Sequence, residues 1–137
     1  MYYKISFPAD FKNIAPLRDF SNHVARLLEF DQQVAERIRS VVDEICNNAI
    51  EYGSQPTSQV VLEISADEQQ IKLRCHDQGH GNKLKAAEVL QKIHAGVGRE
   101  SNRGRGMSMI VKGFVDDLQV IDRKDGGITV EALIKKK

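Results

Sequence analysis

The sequence predicts a fold of the α/β (α+β) class, a two-layer sandwich whose helices pack on one face of a mixed, mostly antiparallel sheet. Several short segments alternate apolar and polar residues, which is typical of strands with one buried face. Two long segments carry apolar residues at helical spacing. With 137 residues, the chain is expected to form one domain over residues 1–137.

The first half of the chain supplies one strand and two helices. Alternation through residues 3–7 predicts a strand that Pro8 ends. An apolar stripe predicts a first helix from about Ala15 to Leu28. The second helix is expected to follow a capping residue, Asp31, and to stop at Gly53.

The second half supplies two hairpins with a glycine-rich region between them. Alternation over residues 60–65 and 71–76 predicts the first hairpin. Residues 77–106 hold six of the ten glycines and are expected to be irregular, apart from a short helix near 84–93. After a last helix, with apolar positions from Met107 to Leu118, the closing hairpin is predicted from Leu118–Ile121 and Ile128–Ile134.

Composition and charge exclude several classes of function. The formal net charge is +1, so no overall field favours nucleic acid or an anionic membrane. The sequence lacks an apolar stretch of the ~20 residues that a membrane span needs, and its N-terminus lacks the long apolar segment of a signal peptide, so a cytoplasmic location is expected. Cys46 and Cys75 have no metal-type spacing and are expected to be reduced, buried thiols.

The second helix carries a carboxylate and a carboxamide on one face. Glu44 and Asn48 are four residues apart and border the apolar stripe, so both would look into a cleft between helix and sheet. A carbonyl oxygen from Asn48 suits Mg²⁺, and Glu44 could accept a proton from a hydroxyl. The alternative is a pair of boundary polar residues without a function.

A second candidate follows the strand at 71–75. Counting by twos, Asp77 points to the same side as the apolar residues of that strand. An inward carboxylate is costly unless something donates hydrogen bonds to it, and the exocyclic amine of adenine is one such donor. Gly79 and Gly81 would let the backbone approach a flat base. The alternative is an ordinary acidic turn.

The third candidate opens the last helix. Gly104 and Gly106 precede a helix N-terminus, whose N–H groups can bind phosphate, and Arg105 adds a positive charge. The preceding segment, 96–102, is expected to act as a lid. The alternative is a flexible surface loop.

Taken in chain order, the three segments resemble the nucleotide-binding domain of the GHKL ATPase superfamily, which includes histidine kinases, type II topoisomerases and MutL and has the Bergerat-type ATP-binding fold. Glu44 and Asn48 match its first box, residues 77–81 its second, and residues 104–106 its third. The sequences of residues 44–53 and 104–110 resemble the corresponding motifs of anti-sigma-factor serine/threonine kinases of the RsbW and SpoIIAB kind.

This resemblance implies a serine/threonine kinase that uses ATP and Mg²⁺. Glu44 would be the catalytic base, Asn48 the Mg²⁺ ligand and Asp77 the adenine reader. The remaining contacts to the nucleotide would come from glycines and one arginine: Gly79, Gly81, Gly104, Arg105 and Gly106. The family often has threonine directly after the glycine of the last hairpin; here Ile128 stands there, so no role is assigned to Thr129.

The resemblance also implies partners. The substrate would be a serine or threonine on an anti-sigma-antagonist-like protein, the regulated target a sigma factor, and a homodimer is expected by analogy. A non-catalytic module in which ATP gates a protein-binding surface stays open as the alternative, and a free ATPase is a third. A nucleic-acid-binding role fits least, given the near-neutral charge and the absence of tryptophan.

Overall fold

The computed structural model describes residues 1–53, 58–77, 88 and 113–136, without the side chains of residues 52 and 53. It confirms the predicted fold class, in which helices cover an open sheet. The elements in chain order are β1 (Tyr2–Pro8), a single 3-10 turn (Phe11–Asn13), α1 (Ile14–Leu27), α2 (Gln32–Gly53), β2 (Gln59–Ala66), β3 (Gln70–His76), β4 (Asp117–Asp122) and β5 (Ile128–Lys135).

The five strands form one sheet in the order β1-β2-β3-β5-β4. Every pairing among the described strands is antiparallel, so the mixed character allowed by the sequence is not seen in this part of the chain. The last strand, β5, inserts between β3 and β4. It therefore brings the closing hairpin beside the end of β3, where the second motif begins.

Both helices lie on the same face of the sheet. α2 packs on β2, β3 and β5, and α1 packs along α2. Phe20 of α1 meets Tyr3 of β1 edge to face, with ring centroids 4.9 Å apart. Every second strand residue points into this layer, which is the alternation seen in the sequence. The central strands contribute the fully buried side chains Val60, Leu62, Ile64, Ile71 and Leu73.

α2 begins where the sequence predicts. The Asp31 carboxylate accepts a hydrogen bond from the Val34 N–H at 2.8 Å, which satisfies one of the free donors of the first turn. Because the helix packs against the sheet and against α1, residues 44–50 are all buried. Its polar residues in this stretch are therefore part of the interior.

Some expectations need correction or fall outside the described residues. Leu118 belongs to β4 and not to the last helix, because the chain leaves the helical conformation after Phe114. Of the predicted short helix at 84–93, the structure describes only Glu88, which is helical and exposed. Within the described ranges, the helices are too short or too polar to cross a bilayer.

Candidate functional site

Glu44 and Asn48 lie one helical turn apart in the middle of α2. Their exposed fractions are 6% and 7%, so both are deeper than the border position that the sequence suggests. Burying a carboxylate and an amide costs free energy unless each is hydrogen-bonded or binds a ligand. The pair thus forms a buried polar position on one face of α2.

Asp77 directly follows β3, and its side chain points inward as predicted, with an exposed fraction of 4%. Its backbone N–H donates to the Ile128 carbonyl at 3.2 Å. In return the Ile128 N–H donates to Asp77 Oδ1 at 3.1 Å. The Arg123 guanidinium donates to the Asp77 carbonyl oxygen. A protein donor thus offsets part of the cost of burying this carboxylate.

A contact between two cysteines joins the first motif to the second. The Sγ atoms of Cys46 and Cys75 are 4.0 Å apart, and both thiols are free and buried. Cys46 lies midway between Glu44 and Asn48, and Cys75 lies two residues before Asp77 on the same face of β3. α2 and β3 therefore touch at Cys46 and Cys75, whereas Glu44 and Asn48 lie about 200° around the helix from Cys46 and point away from this contact.

A cavity of about 500 Å³ opens beside Glu44, a volume within the ordinary range of ligand pockets. In the lining of this cavity, Arg18 of α1 forms an ion pair with Asp43, with Arg18 Nη1 2.9 Å from Asp43 Oδ1. Sequence reasoning missed both of these residues, although Asp43 directly precedes Glu44. The described lining comprises Arg18, Glu36, Arg39, Ser40, Asp43, Glu44 and Phe114.

The donor set in α2 fits the predicted magnesium site. Asn48 offers an amide oxygen, a hard ligand, and Mg²⁺ commonly takes one or two protein ligands beside phosphate and water. The neighbouring Asn47 donates its side-chain amide to the Asp43 carbonyl at 2.6 Å, one turn earlier in the same helix. Among the residues described, no group of three or more His, Cys, Asp or Glu side chains forms a separate metal site.

The open face of the sheet carries a second polar cluster, which sequence reasoning did not identify. His76 lies on this face, opposite the apolar set, and its Nδ1 is 2.7 Å from Thr129 Oγ1. His76 Nε2 also contacts Glu63. Hydrogen bonds from the Tyr2 hydroxyl and from His76 lower the pKa of Glu63. Thr129 Oγ1 thus bonds to a residue of the open face.

The other residues predicted for the site lie outside the described residues. They are Gly79 and Gly81 of the second motif and Gly104, Arg105 and Gly106 of the third. The convergence of all three motifs on one cavity therefore stays a prediction.

Comparison with known proteins agrees with the fold. The family model for the histidine kinase-like ATPase domain matches residues 7–134. Among solved structures, a chain of the SiaB–SiaC complex from Pseudomonas aeruginosa is similar to this chain, with a TM-score of 0.72 at 12% sequence identity over 96% of this chain and 88% of that chain. A likeness at this identity shows the fold. No curated protein sequence matches the chain.

Proposed function

The chain belongs to the histidine kinase-like ATPase family, and from this premise we propose that it is a Mg-ATP-dependent serine/threonine kinase that controls a partner protein. The GHKL resemblance drawn from its three motifs is confirmed by the family match. ATP binding follows from the family, whereas the protein substrate and the transfer step are the proposal.

One observation carries the proposal: Glu44 and Asn48 are buried one turn apart on α2, and Glu44 lines a cavity of about 500 Å³. An acid and an amide thus share one face of α2, and a second acid, Asp77, is buried at the end of β3. Burying such polar groups costs free energy, and a role in binding or catalysis accounts for their presence in the interior.

Each residue has a distinct role in the proposed reaction. Asp77 accepts a hydrogen bond from the exocyclic amine of adenine, and Gly79 and Gly81 give the base room. Asn48 would hold Mg²⁺, which neutralises charge on the phosphates when bound. Glu44 accepts the proton of the attacking hydroxyl, whose oxygen bonds to the γ-phosphorus while ADP leaves. Gly104, Arg105 and Gly106 would hold the phosphates.

The acceptor hydroxyl is proposed to belong to another protein. We propose that the hydroxyl-bearing side chain of the substrate reaches Glu44 through the cavity beside it. The solved structure that resembles this chain is itself a complex of two proteins, SiaB and SiaC. An anti-sigma-antagonist-like substrate, with a sigma factor as the regulated target, fits this arrangement and the resemblance of residues 44–53 to anti-sigma-factor kinases.

The test separates binding from transfer with two variants. Glu44→Ala should keep ATP affinity close to that of the wild type and lower the transfer rate by about 10²- to 10⁴-fold, because only proton removal is lost. Asp77→Asn should instead weaken ATP binding by about 10- to 100-fold, since a carboxylate acceptor is lost. Calorimetry measures the affinity, and intact mass shows phosphoryl addition to antagonist-like proteins of the same genome.

The outcomes are distinct. Transfer by Glu44→Ala at the wild-type rate would show that Glu44 is not the base. Saturable ATP binding by the wild type, with no phosphorylated product from any candidate partner, would identify a non-catalytic switch in which ATP gates a protein-binding surface.

A further inference from the structure

The turn between β4 and β5 folds back over the end of β3. The Arg123 N–H donates to the Gly127 carbonyl at 2.8 Å, which closes the turn. Inside it, the Asp125 carboxylate accepts the Gly127 N–H at 2.8 Å. Asp125 also lies 3.3 Å from Arg123 Nε. The Arg123 side chain is therefore fixed at its base by the turn from which it projects.

The guanidinium end of Arg123 reaches three oxygens on the two neighbouring strands. Nη1 donates to the Ile128 carbonyl at 2.8 Å and to Thr129 Oγ1 at 3.2 Å. Nη2 donates to the Asp77 carbonyl. The same two residues, Asp77 and Ile128, are joined by the hydrogen bond from the Ile128 N–H to the Asp77 carboxylate. Arg123 thus fixes both backbones on which the orientation of that carboxylate depends.

Gly127 leaves the space that this arrangement needs. A Cβ atom at Gly127 would lie 2.7 Å from Arg123 Cζ and 2.8 Å from the Asp77 carbonyl oxygen. Both distances are too short for real contacts, so any side chain at Gly127 would displace the guanidinium. Glycine is therefore required here by a close approach of three groups.

A plain surface ion pair does not account for these contacts. Asp125, the carboxylate beside Arg123, is 64% exposed, and exposed pairs contribute little to stability. The Arg123 side chain is only 23% exposed, and its two terminal nitrogens point at backbone and hydroxyl oxygens. Its fixed, planar set of donors suits the bridging of two strands.

We infer that Arg123 is a positioning residue for Asp77, and that it sets the preference for adenine by holding the carboxylate in one orientation before the nucleotide binds. The inference rests on the proposed function, in which Asp77 reads the base. A fixed carboxylate accepts the exocyclic amine of adenine and repels the carbonyl oxygen that guanine presents at that place. A carboxylate that is free to turn loses affinity for adenine and tolerates guanine better.

The experiment compares the affinities for ATP and GTP in four proteins. Arg123→Met removes the bridge, and Gly127→Ala keeps the guanidinium but displaces it. The matched control is Arg74→Met, which removes the same charge from the same sheet face, where Arg74 pairs with Glu131 at 2.6 Å. We expect the ratio of ATP to GTP affinity to fall about 10-fold in Arg123→Met and in Gly127→Ala, and to match the wild type in Arg74→Met.

A second measurement needs no nucleotide. Hydrogen exchange at the Ile128 amide, which donates to the Asp77 carboxylate, should accelerate about 10-fold in Arg123→Met and remain unchanged in Arg74→Met. The inference would be overturned if Arg123→Met left both the ratio of ATP to GTP affinity and the exchange rate of the Ile128 amide unchanged. It would also be overturned if Arg74→Met changed these two quantities as much as Arg123→Met does. If Arg123→Met does not fold, the ratio of ATP to GTP affinity in Gly127→Ala tests the inference instead. If the wild type binds neither nucleotide, the proposed function fails, while the exchange at Ile128 still tests the bridge.

Discussion

At the scale of single residues, the two cysteines show how burial controls reactivity. Cys46 and Cys75 face each other across the layer between α2 and β3, with exposed fractions of 0% and 1%. The hydrogen bond that the Cys75 thiol donates to Cys46, together with burial, raises the pKa of Cys75 well above its usual value. Because the thiolate is the reactive form, a buried thiol with a raised pKa is inert.

A thiol reagent should therefore distinguish the folded protein from the unfolded one. We expect Cys46 and Cys75 to react with a disulfide reagent at least about 10³-fold more slowly in the native protein than in urea, because reaction requires opening of the core. The absorbance of the released thiol measures the rate. Fast modification of either cysteine in the native protein would contradict this.

The candidate site also shows how far single residues could be predicted. Strand alternation placed Asp77 on the inner face, and the structure confirms its burial. The donor that supports it, the Ile128 N–H, lies 51 residues further along the chain. No local pattern indicates that pairing, so the sequence predicted the need for a donor but not its source.

At the scale of elements, the end of α1 illustrates a helix stop without glycine. The Phe30 N–H donates to the Ala25 carbonyl and the Glu29 N–H to the Arg26 carbonyl, each at 3.0 Å, which is the Schellman pattern. This pattern requires a left-handed residue, and Glu29 takes that place with a φ of 64°. A side chain in this conformation costs about 1–2 kcal/mol, which glycine avoids.

Glu29→Gly should accordingly stabilise the protein. We expect the free energy of unfolding to rise by about 0.5–1 kcal/mol, because the relief of strain exceeds the added flexibility of the unfolded chain. Urea denaturation measures it. The matched control is Glu68→Gly in the β2–β3 turn. Among the described residues only Glu29 and Gly126 have a positive φ, so Glu68 has no such strain to relieve and its replacement should lower the free energy of unfolding. Equal effects in both variants would contradict the strain argument.

At the scale of the whole molecule, the proposed nucleotide would join segments that are far apart in sequence. α2 and the end of β3 are brought to one interface only by folding, so a ligand held by Asn48 and Asp77 binds the native state and not the unfolded chain. Such a ligand shifts the unfolding equilibrium by mass action.

Mg-ATP should therefore raise the free energy of unfolding by about 2.7 kcal/mol at a concentration 100 times its dissociation constant. Thermal denaturation measures this as a higher Tm. Removal of Mg²⁺ with EDTA should reduce this gain in stability, because the metal that Asn48 is proposed to hold is then absent. Asp77→Asn serves as the control. A gain in Asp77→Asn equal to that of the wild type would show that the nucleotide binds elsewhere.

The sequence by itself determined the elements and the face each residue occupies. Spacing in the chain placed α1 and α2 to within a residue or two and identified the five strands. It also set Asp77 inward and put Glu44 and Asn48 on one helix face as the residues to examine. These features are local: a period of 3.6 or of 2 and a capping residue are visible in a short window.

The tertiary structure alone decided which elements are neighbours. It inserted β5 between β3 and β4, set Cys46 against Cys75, and brought Arg123 and Ile128 to Asp77. Periodicity shows which side of a strand is buried, but every strand of this sheet offers the same backbone donors and acceptors to any partner. The choice among partners depends on packing of the whole core, which no single segment contains.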